Sequence, residues 1–91
     1  MKAFQNTPIH EELREELALL LDISINKLPG DVSPDIAGKF LSTAPRTLAI
    51  WRSTGRYNLP YLKMGRLVRY RIVELVKFKA SRIFGCTGEK A

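Results

Sequence analysis

The chain has 91 residues, with 15 Lys+Arg against 9 Asp+Glu for a net charge of +6, and 45% of its side chains are apolar. That length suits one small domain and excludes a dinucleotide-binding unit with its substrate domain, or an eight-stranded α/β barrel. One cysteine, Cys86, excludes an internal disulfide framework and a cysteine-ligated zinc site. The longest apolar run, residues 17–21, is five residues long, against the roughly 20 of a membrane helix. No apolar signal-peptide core follows Met1. The expected setting is reducing and cytoplasmic, with no membrane partner.

The charges are unevenly placed. Residues 1–35 carry three basic and seven acidic side chains, a net of −4, whereas residues 36–91 carry twelve and two, a net of +10. A basic body of this kind suits a polyanionic partner.

In chain order, the first segment reads as a helix. Thr7 serves as N-cap, Pro8 suits the first helical position, and Glu11 and Glu12 lie on the positive end of the dipole. Ile9, Leu13, Leu17, Leu20 and Leu21 recur at helical spacing and form one apolar stripe. Such a stripe either docks on the body or pairs with another subunit, and docking is favoured. Lys27-Leu28-Pro29-Gly30-Asp31 reads as a turn or linker at the charge switch, the natural boundary between head and body.

Ser33 as N-cap, Pro34 and Asp35 open a second helix, with Ile36, Ala37, Phe40 and Leu41 facing inward. Ser42-Thr43-Ala44 breaks it. Pro45 opens a third helix, ending near Thr54, with Leu48 and Trp51 inward and Gly55 as its stop. Two short helices about three residues apart have helix-turn-helix spacing. Two β-prone runs then flank Gly65-Arg66, the signature of a hairpin with a two-residue turn. Alternation sends Leu62, Met64 and Val68 inward and Lys63, Arg66 and Arg69 outward. A last helix spans residues 72–82, with Ile72, Leu75, Val76 and Phe78 apolar, and residues 85–91 read as a frayed tail.

Catalytic chemistry finds little support. His10 is the only histidine and has no Cys, Ser or ligand partner at a usable spacing. Cys86 shows neither a base nor a pocket. The six glycines are scattered and make no phosphate loop. Neither a catalytic site nor a metal or other cofactor is expected.

Nucleic-acid binding has residues to carry it. Arg46 and Thr47 fall on the first turn of the third helix, the end that a recognition helix presents to the major groove. Ile50 and Arg52, with Ala49, take the side away from Leu48 and Trp51. Arginine grips guanine bidentately, threonine bonds either partner, and an exposed isoleucine meets a thymine methyl. Lys63, Arg66 and Arg69, extended by Arg71, make the hairpin a cationic finger for phosphates or a minor groove. Trp51 reads as a core anchor. Tyr61 and Tyr70 flank the hairpin within reach of a phosphate.

Residues 32–82 resemble the winged helix-turn-helix modules of phage excisionases and AlpA-type regulators, themselves similar to the DNA-binding head of MerR regulators. The resemblance is carried by Ile36-Ala37 and Leu41, Pro45-Arg46-Thr47-Leu48, Trp51-Arg52 and Gly55, and then by Leu59-Pro60-Tyr61, Lys63-Met64-Gly65-Arg66, Val68-Arg69-Tyr70, Leu75 and Phe78. It covers about fifty residues. It implies a major-groove helix bearing Arg46, Thr47 and Arg52, a wing bearing Lys63, Arg66 and Arg69, and a role in prophage excision or in transcription from a mobile element. The family turn Leu-Gly-Val-Ser is here Leu41-Ser42-Thr43-Ala44, so Thr43 has to replace the missing serine cap. Ala49 and Ile50 are apolar where basic or polar residues are common, and the acidic first helix lies outside the pattern.

The expected fold is mainly α with a small β-hairpin: a winged helix-turn-helix at residues 32–84, preceded by an acidic helix and linker at 1–31 and followed by the tail. The expected function is non-catalytic binding of double-stranded DNA. The rival is a protein-interaction module, adaptor or antitoxin-like, that engages a partner such as an integrase or RNA polymerase. A homodimer through the N-terminal helix fits either reading. RNA binding through Tyr61 and Tyr70 ranks below both, because those residues flank a hairpin rather than line a sheet platform.

Overall fold

The computed structural model describes residues 8–83, so the Thr7 cap, Cys86 and the tail at 85–91 lie outside it. Four helices and a small antiparallel sheet follow in the order α1 (Pro8–Leu21), β1 (Asp31–Val32), α2 (Pro34–Leu41), α3 (Pro45–Thr54), β2 (Leu62–Met64), β3 (Leu67–Arg71) and α4 (Ile72–Ala80). Single 3-10 turns at Ile25–Lys27 and Arg56–Asn58 fill two of the connections. Among the described residues no helix is long and apolar enough to cross a membrane.

The second helix starts as its sequence dictates. Ser33 Oγ accepts from the Ile36 amide at 3.3 Å and Pro34 occupies the first turn, so two orphan-donor problems are met locally. At its other end Ser42 takes a left-handed conformation, φ 56°, which brings the Thr43 amide to the Gly38 carbonyl at 2.8 Å. Thr43 does not replace the missing cap of α3. Its hydroxyl donates to the Leu41 carbonyl at 3.0 Å, and Ala44 caps α3 without a side-chain bond. The tight turn has used the one hydroxyl nearby.

The sequence divided the chain between residues 31 and 32, but that point lies within β1. Asp31 pairs with Arg71 and Val32 with Tyr70, which makes β3 the central strand in the order β1-β3-β2. A Pro-Gly pair reads as a turn from local chemistry, while a two-residue strand is defined only by its distant partner. The first helix docks on the body, the alternative that the sequence favoured. It packs on α4 and α2, and Leu13 and Leu17 join Ala37, Phe40, Leu48, Tyr70, Leu75 and Val76 in one buried cluster. These two buried leucines contribute roughly 1.5–3 kcal/mol each to that docking. Its stripe is shifted from the expected one: Ala18 is buried, while Leu20 is 38% exposed and Leu19 is 81% exposed. The last helix ends at Ala80, two residues early, in a turn in which Ser81 N bonds the Lys77 carbonyl.

The hairpin shows a second reversal. With a two-residue turn, Met64 pairs with Leu67, Lys63 with Val68 and Leu62 with Arg69. Partners share a face, so Val68 turns inward with Tyr70 and Val32 and takes Lys63 to that same face, against its expected side, where it stays exposed on the edge strand. Leu62 and Met64 turn outward with Leu67, Arg69 and Arg71. Gly65 has a positive φ of 61°, as a type II′ turn requires of its first central residue.

Gly38 sets the approach of α2 to the start of α3. A Cβ built there lies 2.4 Å from the Thr43 carbonyl oxygen, which is backbone and has no rotamer to escape through. Gly38→Ala is expected to destabilise the protein by about 1–3 kcal/mol, read as a lower urea midpoint with an unchanged slope.

Candidate nucleic-acid interface

The candidate residues lie on the outer surface of α3 and on the hairpin. Arg46 and Ile50, one helical turn apart, are both exposed on α3, and Ile50 is 51% accessible. No acidic residue stands in the first turn of α3 and no side chain caps it. Its positive end therefore faces solvent beside the Arg46 guanidinium, an arrangement that favours an anion. Thr47 is half-buried, as is Ala49.

Arg52 turns away from this surface. It stands four residues after Leu48 and so shares the inward face of the helix, not the outward one. Its Nη1 donates to the Tyr70 hydroxyl at 2.8 Å, and its guanidinium lies 5.7 Å from the Tyr61 ring centroid. Tyr70 itself is only 1% exposed, so no phosphate reaches it from solvent. Its aromatic body fills the core, and its hydroxyl needs a partner that Arg52 supplies. This bond ties α3 to the central strand of the sheet.

On the hairpin, Lys63, Arg66 and Arg71 are exposed. Arg69 is held back: its Nε donates to Asp31 Oδ1 at 2.8 Å and its Nη2 to the Asp31 carbonyl at 3.3 Å. Of the basic side chains on α3 and the hairpin, Arg69 is the one ion-paired among the described residues. The pair joins the acidic segment to the basic body through the β1–β3 ladder. Local spacing could not reveal it, because Asp31 and Arg69 are 38 residues apart. A second such link runs from Glu16 on α1 to Lys79 on α4 at 3.1 Å, and Lys79 also donates to the Phe40 carbonyl.

Trp51, expected inward, is half-buried and meets Tyr57 edge-on, with centroids 4.7 Å apart and planes at 70°. Tyr57 reaches it from a left-handed backbone, φ 65°. With Phe78, Leu41, Thr43, Lys79 and Arg82 they line an open cavity of about 290 Å³, and the Arg82 guanidinium stacks 4.0 Å from the Phe78 centroid. His10 lies half-buried in the first turn of α1. Among the described residues no group of three or more His, Cys, Asp or Glu side chains is arranged to hold a metal ion.

The structure thus leaves Arg46 and Ile50 on α3 and Lys63, Arg66 and Arg71 on the hairpin as solvent-facing groups, and engages Arg52 and Arg69 as ties to Tyr70 and Asp31. No protein-family model matches the chain, and no curated protein or solved structure matches it.

Tyr70→Phe removes the acceptor of a half-buried guanidinium and leaves the core volume intact. Stability is expected to fall by about 1–2 kcal/mol in thermal or urea unfolding, and Tyr70→Phe with Arg52→Leu together is expected to cost less than the sum of the two single changes.

Proposed function

We propose that this chain is a winged helix-turn-helix DNA-binding protein that acts by binding rather than by catalysis. α2 and α3 form the helix-turn-helix, α3 enters the major groove, and the β2–β3 hairpin is the wing on the adjacent phosphates or minor groove. The observation that carries this reading is the pairing of exposed Arg46 and Ile50 on α3 with exposed Lys63, Arg66 and Arg71 on the hairpin. Five solvent-facing groups on two elements linked through the Arg52–Tyr70 bond, four of them cationic, suit a polyanion that presents phosphates and base edges side by side. The three-residue connection of α2 to α3 and the residues quoted for the excisionase and AlpA resemblance point the same way. That resemblance suggests work in excision or in transcription from a mobile element.

Within this reading the roles divide by chemistry. Arg46 and Ile50 read base edges: the guanidinium suits guanine and the aliphatic side chain suits a thymine methyl. Lys63, Arg66 and Arg71 neutralise phosphates and set the register. Arg52 is a positioning residue that ties α3 to β3, and Arg69 one that ties β3 to β1.

A second reading is favoured by one observation on the opposite charge segment. Leu19, Leu20 and Ile23 are exposed near the end of α1, beside the exposed carboxylates of Glu12, Glu15 and Glu16. This surface repels DNA and suits a protein partner: an integrase, RNA polymerase or a second copy of the chain. The two surfaces serve together in a factor that holds DNA with one and a protein with the other.

Arg66→Ala is expected to weaken binding to all duplexes alike and to lower the salt slope by about one unit in anisotropy titrations between roughly 50 and 200 mM salt. Arg46→Ala is expected instead to relax preference at one base position, by about 1–3 kcal/mol in a selection from random duplexes. Wild-type binding that ignored salt over that range would overturn the electrostatic basis of the reading.

A further inference from the structure

The wing carries side chains that phosphate contacts leave unused. Leu62, Met64 and Leu67 lie on its outward face at 36%, 56% and 54% exposure. Single exposed hydrophobics are ordinary, but these are contiguous. Met64 and Leu67 stand directly opposite each other next to the turn, where cross-strand side chains are about 4.5–5.5 Å apart, and Leu62 lies one position further along the same face. They make no part of the buried cluster, which the other face supplies through Val68 and Tyr70.

The surroundings of this ridge select its occupant. Arg66 projects from the turn and Arg71 lies on the same outward face, both exposed. Asp31, the one carboxylate on the sheet, is already bound to Arg69. A second copy of the hairpin would bring the same cations against these, and an acidic surface alone would leave the apolar ridge wet. The minor groove of duplex DNA offers both components: phosphates at its rims, and sugar and base surfaces within. At about 6 Å across it is narrow, and Gly65 keeps the tip slim, with nothing within 4 Å of where a Cβ would stand.

We propose that Met64 and Leu67 form an apolar wedge that enters the minor groove and parts one base step, kinking the duplex while Arg66 and Arg71 hold the flanking phosphates. The inference rests on the DNA-binding reading and assigns the hairpin an architectural task within it. Methionine is suited to the leading position, because its unbranched thioether is thin, flexible and polarizable. Unstacking a step is repaid by apolar contact and by the further protein surface that a bent duplex reaches. Steps that part easily, such as TA and CA, are the preferred sites, which gives sequence preference without base-edge hydrogen bonds.

The test uses the full chain and an A·T-rich duplex of about 30 base pairs containing one TA step, labelled at both ends for energy transfer and at the step with 2-aminopurine. Wild-type protein at saturation is expected to bring the ends closer and to raise 2-aminopurine fluorescence. The double variant Met64→Ala/Leu67→Ala, altered only at exposed positions, is expected to bind within about tenfold of wild type with the same salt slope, yet to leave the ends and the fluorescence as in free DNA. Met64→Leu is expected to retain the kink. A double variant that bends DNA like wild type, or a wild-type complex that is straight and fully stacked, overturns the wedge and leaves DNA binding intact. Absence of salt-dependent binding to any duplex overturns both readings. A wild-type dimer in light scattering that the double variant dissolves assigns the ridge to a second copy and also overturns the wedge.

Discussion

The hydrogen bond from Arg52 to the hydroxyl of Tyr70, 18 residues apart, is the contact on which the placement of α3 against the sheet depends. A tyrosine ring buried to 1% exposure contributes its full apolar area to the core, but only if its hydroxyl keeps a partner. The partner comes from α3, 2.8 Å away, and the ring sits on the central strand, paired with Val32 on one side of the sheet. One side chain therefore joins the helix with Arg46 and Ile50 to the strand that leads into the hairpin. The separation of the two candidate DNA-contacting elements is a consequence of core packing.

The acidic segment is woven into the same design. Its net charge of −4 against +10 for the rest reads as a head apart from a body, yet Glu16 reaches Lys79 and Asp31 reaches Arg69. Both pairs are partly exposed, so each contributes at most about 1 kcal/mol to stability. Their larger effect is on which cations remain available. Arg69 and Lys79 are engaged by carboxylates, and Arg46, Lys63, Arg66 and Arg71 are left to face solvent. The acidic residues thereby shape the basic surface by removing members from it.

How much of this was legible in the sequence differs by element. The caps and breakers at Ser33-Pro34, Pro45 and Gly55 state α2 and α3 locally, and the fold has them where the residues place them. The two-residue turn at Gly65-Arg66 was equally plain, and with it came the register: once Met64 opposes Leu67, parity alone sends Leu62 and Met64 outward. That information was present, although hydrophobicity by itself pointed the other way. The inward turn of Arg52 was also implicit in its four-residue spacing from Leu48. Asp31–Val32 as a strand was not legible, since its local sequence is that of a turn and its definition lies in residues 70 and 71.

The amino-acid sequence by itself determined α2 and α3 with their starts and stops, the hairpin and its register, and the segregation of charge along the chain, because each depends on neighbours within a few positions. Tertiary structure decided the rest: that α1 shares the core with the body, that a strand closes the sheet at residues 31 and 32, and that Arg52 and Arg69 are ties, not free cations. Those outcomes depend on groups 18 and 38 residues apart meeting in space. A buried hydroxyl and a half-exposed carboxylate choose their partners only after the core has brought the elements together.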